Sequence, residues 1–166
     1  MNELPFRLEF VLTEEAGGDT VDPDLVDILV ALVALDPSEG AGFACLAEAI
    51  DFGDYVQVAG GPDPDTGEAR YCVERRVHDR MSDDSIVSPD SYSHLVAGVK
   101  TDGSPVGETM IKTNGFKVDC RTNEVLTLSD VITIFVTFLE RRSLPEEYQW
   151  RSNRSEVDSV GTLTRQ

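Results

Sequence analysis

Apolar and polar positions alternate near the start of the chain, a pattern that predicts a strand. The segment Phe-Arg-Leu-Glu-Phe at 6–10 has the period of two that is typical of a strand with one buried face. We place this strand at 5–12. The pair Gly17-Gly18 that follows is interpreted as a breaker.

A helix is predicted next, at 23–35. Asp22 is a suitable N-cap, and Pro23 fits the first helical position. The last two turns are apolar on every side, so we expect the sheet and neighbouring elements to cover most of this helix. The segment 41–51 is rich in alanine and lacks clean alternation, which favours a second, short helix.

The middle of the chain is typical of short antiparallel strands. One strand begins at Tyr55 and stops at Gly60, and a second covers 69–77, so the two are predicted to form a hairpin. Further strands are predicted at 94–100, 107–113 and 116–120. Asp-Gly and Asn-Gly steps separate these three strands, and such steps are strong hairpin signals.

The last regular element is the best marked. Thr127 and Asp130 have the spacing of a capping box, which predicts a helix at 128–142. Five apolar residues share one face of it: Leu128, Val131, Phe135, Phe138 and Leu139. The many β-branched residues leave a strand open as the alternative.

Together these elements predict an α+β fold. We expect a single domain over 1–152, with an antiparallel sheet of about five to seven strands and two or three helices packed on it. Residues 153–166 are polar with little periodicity, so a flexible C-terminal tail is expected there.

Charge narrows the choice of partners. The 166 residues contain 14 Lys and Arg against 31 Asp and Glu, a formal net charge of −17. Such a field repels nucleic acid and anionic membranes and attracts basic proteins. Residues 1–111 hold 6 basic and 23 acidic side chains, whereas 112–166 hold 8 of each. Solubility alone would also explain a strong negative charge.

The sequence contains few signals for the location of the protein in the cell. Cys45, Cys72 and Cys120 form no CxxC pair, so we expect neither a disulfide framework nor a zinc site, and a reducing cytoplasm fits them. No signal peptide is evident, and the longest apolar run, 28–35, is far shorter than the roughly 20 residues of a membrane span.

No motif supports catalysis. The two histidines, His78 and His94, lack metal-ligand spacing, and no GxSxG elbow is present. The segment that starts at Asp63 faintly resembles a calcium loop, but its glycine stands at the wrong position and a hairpin turn fits better. We therefore expect no cofactor, no metal and no enzymatic activity.

The C-terminal stretch 126–150 resembles the end of Imm1-type immunity proteins. That family closes with a capped helix, a polar turn, a proline and a tryptophan, and the matching residues here are Thr127, Phe135, Phe138, Pro145 and Trp150. The strand pair around Tyr55 and Tyr71 is also similar to the family's. Pro145 and Trp150 are interpreted as supporting the fold.

The resemblance implies a cytoplasmic antidote to a toxin, often a deaminase or nuclease that acts on nucleic acid. Acidic residues would then occupy the toxin's basic cleft. The candidate contact residues are Asp54, Tyr55, Asp63, Asp65, Glu68, Asp83, Asp84 and Asp90. Three alternatives stay open: a DNA-mimic inhibitor of nucleic-acid-binding proteins, a small enzyme, and an assembly module.

Overall fold

The alternation near the start of the chain produces a strand, as predicted. A computed structural model describes residues 5–11, 17–36, 42–49, 53–63, 65–79, 91–112 and 117–152. Strand β1 runs Phe6–Val11; Phe6 and Leu8 are buried, and Arg7 and Glu9 are exposed. One face of this strand therefore belongs to the core.

The fold is α+β, as the sequence predicts, and its main sheet has seven strands. The remaining elements are β2 (Gly17–Val21), α1 (Leu25–Val33), β3 (Phe43–Glu48), β4 (Tyr55–Pro62), β5 (Ala69–His78), β6 (Tyr92–Val99), β7 (Glu108–Lys112), β8 (Lys117–Arg121), α2 (Leu128–Arg141) and β9 (Tyr148–Ser152). The order β2-β1-β3-β4-β5-β6-β9 is antiparallel at every step. Strands β7 and β8 form a separate two-stranded hairpin.

Both helices pack on one face of the sheet, where the main core lies. Phe135 and Phe138 of α2 are fully buried there, together with Leu8, Leu46 and Val58 from the strands. The Phe138 ring meets the Phe6 ring edge-on, with centroids 5.4 Å apart. Helix α2 thereby joins the first strand to the centre of the sheet.

The opposite side of the sheet, which we call the open face, carries a smaller core. The β7–β8 hairpin covers part of it, with Ile111 and Cys120 packed against Cys72 and Val96. The hairpin therefore lies over β5 and β6 and also contacts β4.

The segment predicted as a second helix is strand β3, so that prediction is wrong. Its side chains are buried at every second position from Ala44 to Glu48. The pattern is hard to read in the sequence because the alternate residues Phe43, Cys45 and Ala47 are apolar too. A strand with apolar residues on both faces shows no alternation.

The bounds of the first helix and its neighbours also differ from prediction. Asp24, rather than Asp22, is the N-cap of α1, and its carboxylate accepts hydrogen bonds from the Val26 and Asp27 N–H groups. The glycine pair 17–18, predicted to be a breaker, lies inside β2. Strand β4 continues through Gly60, whose φ of +136° suits glycine alone.

Two further differences from the prediction concern which strands pair with each other. Strands β6 and β7, predicted to be joined through Asp102-Gly103, belong to different sheets. Strand β9 has no counterpart in the sequence prediction; it pairs with β6 and places Trp150 against the main core, where Trp150 Nε1 donates to the Pro145 carbonyl at 3.4 Å. The predicted tail at 153–166 lies outside the described residues.

The predicted capping box of α2 is confirmed. Thr127 Oγ1 accepts from the Asp130 N–H, while Asp130 Oδ2 accepts from the Thr127 N–H at 2.8 Å. Tyr148 Oη donates to Asp130 Oδ1 at 2.9 Å. Burial opposes ionisation of Asp130, but the bonds from Thr127 and Tyr148 outweigh it and hold the pKa of Asp130 below its ordinary value.

Replacing Asp130 with Asn should therefore destabilise the fold in a pH-dependent way. We expect a loss of about 1 kcal/mol in the free energy of unfolding near pH 7. A carboxylate with a depressed folded pKa stabilises above its unfolded pKa of about 4, and this contribution is lost as the pH falls through the folded pKa. Urea unfolding at pH 7 and pH 3 should thus show a difference that shrinks at pH 3. A difference independent of pH would contradict the prediction.

Candidate partner-binding surface

Helix α1 exposes an apolar stripe to solvent. Val26, Val30 and Val33 are 63%, 64% and 66% exposed. Positions four and three residues apart lie on one side of a helix, so these three residues form a continuous row, the valine stripe. The other side of the helix is buried, through Ile28 and Leu32.

The prediction that the sheet and neighbouring elements largely cover α1 is therefore wrong. The core covers one side, and the second apolar side has no covering element in the described part of the chain. An amphipathic surface helix carries polar residues on its outer side. The three exposed valines of α1 do not fit this pattern.

Exposed apolar residues are concentrated around this helix. Among the described residues, eight large apolar side chains are exposed, and five of them lie within 21–33: Val21, Leu25, Val26, Val30 and Val33. Single exposed apolar residues are normal on any protein surface, whereas a group of them marks an interaction site.

Acidic side chains accompany the valine stripe. Asp22, Asp24 and Asp27 are all exposed. Asp24 and Asp27 cap the helix, since Asp27 Oδ2 also accepts from the Asp24 N–H at 3.0 Å. Asp22 has a φ of +56°, a left-handed conformation that Asp and Asn tolerate. The helix therefore begins in a group of three negative charges.

Basic residues are missing from this whole part of the sequence. Residues 8–69 contain fifteen Asp and Glu and no Lys or Arg. The nearest cation in sequence is Arg7 on β1, which pairs with Asp19 at 2.8 Å and with Glu9 at 3.2 Å. The stretch of chain that contains α1 is therefore acidic and carries no positive charge of its own.

Asp54, predicted to contact a partner, is buried at the opposite end of β4 from the hairpin loop. Its Oδ1 accepts from the His78 N–H at 2.8 Å and lies 3.1 Å from His78 Nδ1. Arg75 lies 4.0 Å from Oδ2. The carboxylate thus joins β4 to β5 inside the fold, and the expectation that it lies on a contact surface is wrong.

The acidic loop of the β4–β5 hairpin exposes only two of its three predicted contact residues. Asp63 is buried and accepts from the Asp65 and Thr66 N–H groups at 2.9 and 3.0 Å. The Asp65 N–H is the main reason that the pKa of Asp63 lies below its ordinary value. Asp65 is exposed and pairs with Lys112, and Glu68 is exposed. The loop thus presents Asp65 and Glu68, while Asp63 builds the turn.

Tyr55 lies on the open face, away from the helices. Its hydroxyl is 3.1 Å from His94 Nε2, and the Arg76 guanidinium lies 4.5 Å above its ring. The structure therefore separates Tyr55 from the valine stripe by the thickness of the sheet. The other three predicted contacts, Asp83, Asp84 and Asp90, lie outside the described residues.

The sequence alone did not predict the valine stripe, because an all-apolar helix pattern has two interpretations. A helix that is apolar on every side is either fully buried or has a partner on its second side. The signal that separates them is the acidic run around α1, since the aspartates at 22, 24 and 27 keep one end of the helix at the surface.

Other kinds of site find little support within the described ranges. No three His, Cys, Asp or Glu side chains there are grouped so that they could hold a metal ion. Neither described helix has the length and apolar content that crossing a membrane requires. Burial, with Glu9 as a smaller cause, raises the pKa of the Cys45 thiol to about 12, so this cysteine is not activated as a nucleophile.

Comparisons with protein-family models, with curated proteins and with solved structures find no match to this chain. The resemblance to Imm1-type immunity proteins stays a prediction from the sequence.

Proposed function

We propose that this chain is an antidote protein that neutralises a basic toxin by binding it, without catalysis. The observation that carries the proposal is the valine stripe of α1 with its surrounding acids. Protein interfaces combine a desolvated apolar centre with a polar rim, and the centre supplies most of the affinity. The proposed interface is this helix.

The acidic rim supports a basic partner. Opposite charges speed up the encounter of two proteins and orient them, while like charges exclude other partners. A toxin that acts on nucleic acid needs a basic cleft for phosphates, and carboxylates fit the same cleft. The proposed target is therefore a deaminase or nuclease toxin, and the proposed place of action is the cytoplasm.

The apolar centre favours a dedicated antidote over a general DNA mimic. A DNA mimic depends on an array of carboxylates that substitutes for phosphates and binds many basic proteins. Exposed valines contribute nothing to such an array, but they contribute to one matched surface. We therefore propose one cognate partner.

Co-expression with the toxin encoded next to this protein is the direct test. We expect growth to be restored and a stoichiometric complex to be isolated. Growth arrest in the presence of the folded protein and its correct neighbour would refute the proposal. Similar affinity for unrelated basic proteins would favour the DNA mimic instead.

The rate of association should depend on charge at the start of α1. Asp22→Asn removes one charge and suits the left-handed backbone at this position. At low salt we expect association about twofold slower, because a unit charge about 10 Å from a basic partner contributes a few tenths of a kcal/mol in water. Stopped-flow or surface-binding kinetics measure this rate.

Glu147→Gln is the matched control for charge. Glu147 is exposed and immediately precedes β9, at the opposite edge of the sheet from β2. We expect it to leave the association rate unchanged, and high salt should abolish the difference between the two variants. Equal slowing by both substitutions would place the interface elsewhere.

A further inference from the structure

Strand β2 forms one edge of the main sheet. The sheet order begins with β2, whose only partner strand among the described residues is β1. The Asp22 N–H donates to the Phe6 carbonyl at 2.7 Å. In an antiparallel pair such bonded positions recur at every second residue, so Thr20 and Gly18 also bond to β1. The backbone groups of the residues between them therefore point away from the sheet.

Asp19 and Val21 are the two outward residues at the centre and end of β2. Each carries a backbone N–H donor and a C=O acceptor that pair with no described residue. Val21 is 66% exposed, and its side chain lies on the open face, since its register partner on β1 is the exposed Arg7. The edge thus combines free backbone groups with an exposed β-branched side chain, a combination suited to pairing with a further strand.

The devices that usually protect a sheet edge are missing from β2. Natural sheets protect their edges with lysine, proline or bulges. The sequence of β2, Gly-Gly-Asp-Thr-Val, contains neither lysine nor proline, and its register with β1 continues without a bulge. Its only charged side chain, Asp19, is bound by Arg7 at 2.8 Å. The edge is therefore open to a further strand.

The charges near β2 favour a basic segment as that strand. Arg7 binds Glu9 as well as Asp19, so this group contains one positive and two negative charges. The other edge strand, β9, belongs to residues 112–166, where acidic and basic side chains are equal in number. A second copy of this chain is disfavoured, because each copy has a net charge of −17 and the copies repel each other.

We propose that the toxin adds an extended basic segment to β2, so that the main sheet continues into the partner. The inference rests on the proposed function and deepens it, because residues 22–24 alone join β2 to α1, and both elements can belong to one interface. Backbone hydrogen bonds supply affinity, and side chains at alternate positions supply specificity. The expected segment has Lys or Arg opposite Asp19 and an apolar residue opposite Val21.

Amide hydrogen exchange tests the edge directly. In the isolated full-length protein, the Asp19 and Val21 N–H groups should exchange rapidly, whereas the Thr20 N–H, which is bound to β1, should exchange slowly. In the complex with the toxin encoded next to this protein, we expect the Asp19 and Val21 amides to become protected. Slow exchange of these two amides in the free protein, or rapid exchange in the complex, would overturn the proposal.

Asp19→Pro removes the central outward N–H of β2. Proline is tolerated on an edge strand whose N–H faces solvent, so the fold should be retained, which urea unfolding checks. We expect the affinity for the toxin to fall about tenfold or more, because a hydrogen bond is lost and the ring obstructs the added strand. Asp19→Asn keeps the N–H and removes only the charge, so about twofold weaker binding is expected. Equal effects of the two substitutions would overturn the proposal.

A second variant leaves the backbone of β2 unchanged. Val21→Lys places a lysine on the edge, the residue with which natural sheets prevent such pairing, and it also repels a basic segment. We expect about tenfold weaker binding. Val99→Lys is the matched control, because Val99 is also an exposed valine in a strand but lies on β6, four strands away from β1 and β2 in the sheet order or nearly so. Equal weakening by both lysines would overturn the proposal.

The possible results separate this inference from the proposed function. Absence of any complex with the unmodified protein would refute the proposed function and the strand addition with it. A complex that tolerates both Asp19→Pro and Val21→Lys would leave the proposed function standing and overturn only the strand addition. A dimer of the isolated protein in sedimentation that Asp19→Pro dissolves would identify a second copy as the added strand and would also overturn the proposal.

Discussion

Replacing Val30 with Glu should abolish toxin neutralisation and leave the fold intact. Val30 is 64% exposed in the middle of the valine stripe. Its loss removes the apolar centre of the proposed interface and adds a charge that the complex would have to desolvate. We expect the affinity to fall by about 2–4 kcal/mol, or roughly 30- to 700-fold in Kd. Growth protection and isothermal titration with the purified toxin measure the effect.

Stability should hardly change in this variant. Glutamate is a good helix former, and the substituted side chain points to solvent, so we expect a change within about 0.5 kcal/mol. Met110→Glu is the matched control, because Met110 is also exposed but lies on the separate β7–β8 hairpin. Full protection by the Val30 variant, or equal loss in the control, would remove α1 from the interface.

Replacing Phe138 with Ala should, unlike the Val30 substitution, cause a large loss of stability. The Phe138 ring is fully buried, lies edge-on to Phe6, and has the Arg75 guanidinium 5.1 Å from its centroid. Removing a buried phenylalanine ring costs about 3–5 kcal/mol, from lost burial and from the cavity left behind. That is a large part of the 5–15 kcal/mol by which domains are typically stable.

Urea unfolding measures this loss, and Phe138→Leu serves as the comparison. Leucine fills part of the space, so we expect a smaller loss than for alanine. A change below 1 kcal/mol for Phe138→Ala would mean that α2 does not hold the sheet as described.

The elements with local signals could be predicted from the sequence. The capping box fixes the start of α2 through neighbouring residues, and the alternation of β1 marks its buried face. Strand β3 could not be predicted from alternation, since it has apolar residues on both faces of the sheet. Its partners, β1 and β4, identify it only after the sheet is assembled.

The residues of the candidate site, too, could be predicted from the sequence only in part. The negative charge of the surface is visible in the composition, but the composition does not separate exposed from buried acids. Asp54 is internal because His78 and Arg75 reach it from another strand. The valine stripe is external because the core covers only one side of α1. Both facts depend on contacts between distant parts of the chain.

The position of β9 in the sheet also affects the order in which parts of this protein fold. Its pairing partner β6 lies far from it in sequence, because β7, β8 and α2 come between the two strands. Such distant contacts slow folding, because a large loop must close before they form. On the ribosome, the part of α1 that packs against α2 stays uncovered until residues 128–141 have been synthesised. Newly made chains therefore expose more apolar surface on α1 for a time than the folded protein does, and exposed apolar surface of this kind is what makes incompletely folded chains prone to aggregation.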